Sequence, residues 1–239
     1  MDIALIGYGH MGQMVGRFAL EEGHRIAAII RSHNKDEMAG QGFRSAAVAI
    51  EFSQPESAPD NILACVEAGI PVVCGTTGWY EKLPALKKAI QEKGGALLYG
   101  ANFSSGVNLF FLINRWLTAQ MKAFPEYAAS IREIHHLGKR DSPSGTAVSL
   151  AEDIVALHPA YTDWGTIGTK GILPVKSLRE DAVPGFHEVA FVCGEDVIRL
   201  SHEAFNREGF ARGAIRAATW LQGRKGVFPF SEVFASGFR

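Results

Sequence analysis

Short apolar runs alternate with stretches of helical periodicity along the first hundred residues, and this rhythm predicts a fold class. Residues 3–6 form a compact apolar run, residues 7–12 a glycine turn, and residues 13–22 space Met14, Val15, Phe18 and Ala19 along one helical face. Residues 25–30 read as a buried strand, 47–52 as a third and 70–74 as a fourth, the last two flanking a helix near 61–68. A helix over 83–92 and a strand over 96–99 extend the series. Strands alternating with helices imply a parallel sheet.

The rhythm breaks at Asn102-Phe103-Ser104-Ser105-Gly106, where a domain boundary is expected. Beyond it the pattern predicts a long helix from Val107 to about Met121, a strand over 129–136, a polar loop and a helix over 146–158. Three strand-like runs follow at 173–179, 186–192 and 197–202, with Gly194-Glu195 as a hairpin turn between the last two. This second unit reads as α+β with an antiparallel or mixed sheet. An Ala-rich helical pattern at 211–221 is placed to return to the first unit.

Composition narrows the classes of function. The chain has 239 residues, 47% of them hydrophobic and 21% charged, with 24 basic and 25 acidic side chains for a net charge of −1. It is long enough to bury a core without disulfides, and it lacks the basic field that nucleic acid requires. The apolar runs are too short for a bilayer, so no membrane partner is expected. The first residues lack a basic region and a cleavage site, which makes the cytoplasm the expected compartment. Cys65, Cys74 and Cys193 are widely spaced without a Cys-x-x-Cys pair, and are read as reduced, mostly buried thiols.

Gly7-Tyr8-Gly9-His10-Met11-Gly12 fits G-x-G-x-x-G between a strand and a helix. Missing side chains there let backbone amides approach a pyrophosphate at the positive helix end. Two further loops, Gly75-Thr76-Thr77-Gly78 and Gly100-Ala101-Asn102-Phe103, leave the carboxyl ends of the fourth and fifth strands. Each alone would be an ordinary turn; together they can line one ligand cleft.

The run Glu133-Ile134-His135-His136-Leu137-Gly138-Lys139-Arg140-Asp141-Ser142-Pro143-Ser144-Gly145-Thr146 gathers titratable groups at a strand end, a loop and a helix start. Adjacent His135 and His136 point to opposite sides of a strand, so they have different roles. No further ligand set at recognisable spacing completes a metal site, and none is expected. Ser144 is placed to cap the following helix, leaving the Gly145 and Thr146 amides beside the Thr146 hydroxyl as a seat for an anion. With Lys139 and the histidines nearby, an acidic substrate fits this seat better than capping alone.

The same run, continued to Ala147, resembles the E-x-H-H-x-x-K-x-D-x-P-S-G-T-A signature of the dihydrodipicolinate reductases, also called 4-hydroxy-tetrahydrodipicolinate reductases, of diaminopimelate and lysine biosynthesis. Supporting matches are Gly7 to Gly12, Gly75 to Gly78, Asn102-Phe103-Ser104 followed by Gly106-Val107-Asn108, and His202 with Arg207, Phe210, Ala211 and Gly213-Ala214. The resemblance implies a Rossmann dinucleotide-binding domain over 1–103 completed by 206–239, with a substrate-binding and tetramerisation domain over 104–205. It implies a homotetramer in which NAD(P)H reduces a cyclic dicarboxylate with loss of water. His135 would then be a proton donor or acceptor and Lys139 a second proton donor, while His136, Ser144, Gly145 and Thr146 hold substrate carboxylates. The cofactor would lie on Gly7 to Gly12, Gly75 to Thr77 and Gly100 to Phe103, with Arg207 and Phe210 near the nicotinamide. The stretch 32–46 is shorter than in many family members, which implies a more open adenosine side.

Cofactor choice rests on the end of the second strand, where NAD-specific folds place an acid. This chain has Arg31 there, followed by Ser32, His33 and Lys35, so NADPH is expected over NADH. Two other readings stay open at this level: a Rossmann reductase of another acidic imine or carbonyl compound, and a non-catalytic NAD(H) sensor. The sensor would need a partner-binding module such as a winged helix, and no basic recognition helix is apparent.

Overall fold

A computed structural model describes residues 1–181 and 183–238. They form two compact units: Met1–Ser105 with the chain from Glu208 onward, and Gly106–Arg207.

The first unit opens with β1 (Asp2–Ile6), α1 (His10–Glu21), β2 (Arg25–Ile30), the single turn α2 (Gln41–Arg44) and β3 (Val48–Glu51). It continues with α3 (Ala58–Glu67), β4 (Val72–Cys74), α4 (Leu83–Lys93) and β5 (Ala96–Tyr99). Proline within the first two positions starts both α3 and α4, where its missing N–H has no helical partner to lose.

The second unit contains α5 (Ser105–Met121), β6 (Ala128–His135), α6 (Gly145–Leu157), β7 (Asp163–Gly165), β8 (Ile172–Arg179), β9 (Gly185–Val192) and β10 (Val197–Ala204). The chain then re-enters the first unit through α7 (Glu208–Leu221), β11 (Gly226–Pro229) and α8 (Phe230–Ala235).

The first sheet is parallel throughout in the order β11-β5-β4-β3-β1-β2. Alternate residues of its strands feed two cores. Ile3, Leu5, Val48, Ile50 and Leu98 meet α1 and α7 on one face, and Ala4, Ile6, Ala49, Val72 and Leu97 meet α3 and α4 on the other. Coverage of both faces explains why the central strands are apolar without polar alternation. The expectation of a buried strand at 25–30 needs correction. β2 pairs only with β1 at the sheet edge, and of its six residues only Ile30 is fully buried.

The second sheet is mixed, in the order β10-β9-β6-β8-β7, with β6 antiparallel to β9 and parallel to β8. One face carries Ala129, Ile131, Leu173, Val175, Val189 and Phe191 against α5 and α6. The other face displays Arg132 beside Glu188 and over the Phe186 ring, with Val192 exposed. Among the described residues no helix is long and apolar enough to cross a membrane.

Candidate functional site

In the first unit a cleft of about 700 Å³ opens at the carboxyl ends of β1, β2, β3 and β4. Gly7, Tyr8, Gly9, His10 and Met11 line it, as do Arg31, Gly75, Thr76 and Thr77. Two glycines make the turn possible. Gly7 has φ +82°, and a Cβ there would lie 2.1 Å from the Phe52 carbonyl oxygen; a Cβ on Gly12 would lie 2.0 Å from the Gly7 oxygen. Gly12 is therefore buried beneath the turn instead of lining the cleft. A Cβ on Gly9 would meet open space, and no side chain caps the first turn of α1, so its amides are available to an anion.

Arg31 leaves β2 with its guanidinium 4.7 Å from the Tyr8 ring centroid, and Ser32, His33 and Lys35 line the same end of the cleft. Asn34 shapes this corner by accepting from the Arg31 amide at 2.6 Å and donating to the Ile29 carbonyl at 3.0 Å. Gly100, Ala101, Asn102 and Phe103 are not brought to this cleft. Phe103 is a core side chain, packed against Phe230 with ring centroids 4.6 Å apart, and the Asn102 side chain accepts from the Ser104 amide.

A polar knot beneath the cleft has only a faint trace in the sequence. Glu51, wholly buried at the end of β3, accepts from the Ser53 amide at 3.1 Å, the Ser53 hydroxyl, Asn61 Nδ2 at 3.4 Å and the Cys74 thiol at 3.0 Å. The Ser53 amide also donates to Thr76 Oγ1 at 2.8 Å, tying the loops after β3 and β4 together. Burial, then the charge of Glu51, pushes the Cys74 thiol well up, so it stays protonated as a donor. The visible signal was an acid closing an otherwise apolar strand.

In the second unit β6 carries Glu133 and His135 on one face, two residues apart. The registers place His187 of β9 opposite Glu133 and Arg179 of β8 opposite His135. The carboxylate accepts from the Ser144 amide at 3.1 and 3.2 Å and from Arg179 Nη1 at 3.4 Å. His135 Nδ1 lies 3.2 Å from Glu133 Oε2, close enough for an ion pair though off the line of an ideal hydrogen bond. Burial opposes the charge on Glu133, but His135, Ser144 and Ser177 outweigh it and hold the carboxyl well below the usual range. Burial, then the facing His135, pushes the His187 imidazole down to about 4.

Ser144 caps α6, its hydroxyl accepting from the Ala147 amide at 3.2 Å while sharing a 3.0 Å hydrogen bond with His187 Nε2. Gly145 and Thr146 occupy the first turn, and a Cβ on Gly145 would meet nothing within 4 Å. Lys139 Nζ lies 2.8 Å from both Asp141 carboxylate oxygens, and Arg179 Nη2 donates to the Asp141 carbonyl at 2.6 Å. His136 is half-buried where β6 has ended, its ring against Gly138, while His135 is buried. Sequence reasoning missed His187 and Arg179. Glu133, His135 and His187 bring metal-ligand atoms within 4.8 Å of one another. Arg179 and the Ser144 amide already satisfy that carboxylate, so the group reads as an ion-pair and proton network.

Comparison with known proteins gives the arrangement a lineage. The family model described as dihydrodipicolinate reductase, N-terminus, matches residues 1–103, and its C-terminus counterpart matches residues 106–234. The chain is 37% identical to the 4-hydroxy-tetrahydrodipicolinate reductase of Christiangramia forsetii, with all of both chains covered. It is 35% identical to that of Rickettsia rickettsii over 93% of each. Among solved structures it resembles a dipicolinate-bound dihydrodipicolinate reductase from Paenisporosarcina, with TM-score 0.78 at 20% identity, covering 98% of this chain and 99% of that one. An amine dehydrogenase from Mycobacterium smegmatis shares the fold with TM-score 0.62 at 12% identity, covering 97% and 95%. The chain belongs to the dihydrodipicolinate reductase family.

Proposed function

We propose that this chain is an NAD(P)H-dependent oxidoreductase that reduces 4-hydroxy-tetrahydrodipicolinate to tetrahydrodipicolinate in lysine and diaminopimelate biosynthesis. One hydride and one proton are added and one water leaves. The observation that carries the reading is that one signature segment of the second unit supplies the buried His135, the Lys139 ammonium and the first turn of α6, with the Asp141 carboxylate seated on both Lys139 and the Gly145 amide. A cation and a helix N-terminus suit a carboxylate-bearing substrate. The relatives' shared name supplies the substrate.

The glycine turn and the free amides of α1 fit a dinucleotide pyrophosphate, and the bound nicotinamide supplies the hydride. Arg31, with Ser32 and Lys35, would take the 2′-phosphate of NADPH, which is the preferred cofactor on this reading, with NADH also accepted. Gly100 to Phe103, which do not line the cleft, are left out of the cofactor site on this reading. In the substrate site Lys139, Gly145 and Thr146 bind carboxylate, with Ser144 and His136 completing the pocket. Electron density that builds on the substrate as hydride arrives is neutralised by a proton from His135 or Lys139.

A homotetramer assembled through the second sheet fits the same reading. α5 and α6 cover one face of that sheet, and the other presents Val192 and the Arg132 to Glu188 pair to the outside.

The test is NADPH oxidation in the presence of enzymatically generated 4-hydroxy-tetrahydrodipicolinate, followed by loss of reduced-nicotinamide absorbance. Lys139→Ala should abolish turnover while NADPH still binds with wild-type affinity by fluorescence titration. Loss of NADPH binding together with activity would remove Lys139 from the substrate site.

A further inference from the structure

A wholly buried carboxylate is costly unless its surroundings hold it in place. Arg179 holds Glu133 Oε1, the Ser144 amide spans both carboxylate oxygens, and two imidazoles face Oε2. His187 Nε2, at 3.7 Å, is already engaged by Ser144 Oγ at 3.0 Å. His135 Nδ1, at 3.2 Å, has no other partner among the described residues. The far nitrogen of that ring, Nε2, lies over Gly185, where a Cβ would come within 3.2 Å of it. Glycine at that position leaves Nε2 unobstructed on that side.

We infer that Glu133 is the positioning residue for His135: its carboxylate holds the ring with the proton on Nδ1, so that Nε2 is the atom exchanging a proton with the reacting molecule. A carboxylate that fixes the tautomer and orientation of an imidazole is a recurring device in acid-base catalysis. The inference rests on His135 being a proton-transfer group, as proposed above. The other charged or titratable groups in this neighbourhood are His187 on β9, Arg179 on β8, His202 on β10 and Lys139 after β6. Arg179 Nη1 sits on Oε1, away from the oxygen that meets His135. His187 stands edge-on to His135, with ring centroids 5.0 Å apart, and walls the ring in.

Glu133→Gln tests this without changing size. Arg179, a donor only, keeps the oxygen of the new amide on the Oε1 side, so its nitrogen faces His135 and donates to Nδ1, driving the ring proton to Nε2. The expected result is a fall in kcat of about 100-fold with KM and NADPH binding changed less than about threefold. Long-range 15N–1H spectra of histidine-labelled protein, assigned by comparison with His135→Gln, should show the proton on Nδ1 in the wild type and on Nε2 in Glu133→Gln. In a His135→Gln background, Glu133→Gln should cost no further activity. A wild-type ring protonated on Nε2, or a loss that adds in full to that of His135→Gln, overturns the inference. The wild-type spectrum decides the point even if Glu133→Gln does not fold. Wild-type activity in His135→Gln alone would instead overturn the proton-transfer role, leaving the tautomer to report separately on Glu133.

Discussion

Arg31 stands where a carboxylate would select against a phosphorylated ribose, and its stacking over Tyr8 holds the guanidinium at the cleft rim. Charge reversal there should act on one cofactor more than the other. Arg31→Glu is expected to lower kcat/KM for NADPH by about 10- to 100-fold, the scale of one charge-assisted hydrogen bond, and that for NADH much less. An unchanged ratio of the two efficiencies would remove Arg31 from cofactor choice. Asp141 poses a different problem, because its carboxylate already occupies Lys139 through both oxygens and is held below the usual range chiefly by that lysine. A substrate carboxylate must take the lysine from it. Asp141→Asn should therefore tighten binding of pyridine-2,6-dicarboxylate several-fold by calorimetry, whereas unchanged or weaker binding would mean that Asp141 assists the site instead of competing for it.

Helix α6 shows how one residue serves an element and a site together. Ser144→Ala removes the acceptor for the Ala147 amide and leaves His187 Nε2, deep in the unit, without its partner. Lost capping costs about 1 kcal/mol and an orphaned buried nitrogen about 1–3 kcal/mol, so urea unfolding should report a loss of roughly 2–4 kcal/mol. A loss below about 0.5 kcal/mol would show that water replaces the hydroxyl. That cap was readable in advance, since Ser-Gly-Thr before an apolar helical run carries its own mechanism. So were β1, β5 and α7, whose apolar spacing is strong and local. β11 was not, because Gly226–Pro229 has neither length nor alternation and becomes a strand only where β5 offers a parallel edge. β2 was misjudged as buried because apolar content alone does not distinguish a central strand from an edge. The site divides in the same way: His135, Lys139 and Ser144 lie in one contiguous segment, whereas His187 and Arg179 join Glu133 only through the registers of β9 and β8. Nothing local in the sequence encodes those registers.

At the scale of the whole molecule, the proton network of the second unit ties its stability to pH. Burial lowers the imidazoles of His158, His187 and His202, the second to about 4 with help from the facing His135. In the unfolded chain each takes up its proton near the ordinary value of about 6.5. Between those limits the unfolded state binds more protons, so the stabilisation is complete above about pH 6.5 and is lost as pH falls toward 4. Glu133 acts in the same direction but at lower pH. Its carboxyl is held below the usual range, so its contribution is whole above the ordinary carboxylate value and declines only beneath it. The stabilisation is thus lost in two stages as acid is added, histidine first and carboxylate second. With His187 contributing on the order of 2 kcal/mol, the melting temperature at fixed ionic strength should fall by about 4–8 °C from pH 7.5 to 5. His187→Gln removes the titrating group at that position and should flatten that slope while leaving the steeper loss below pH 4. An equal fall in both proteins would place the pH sensitivity elsewhere in the molecule.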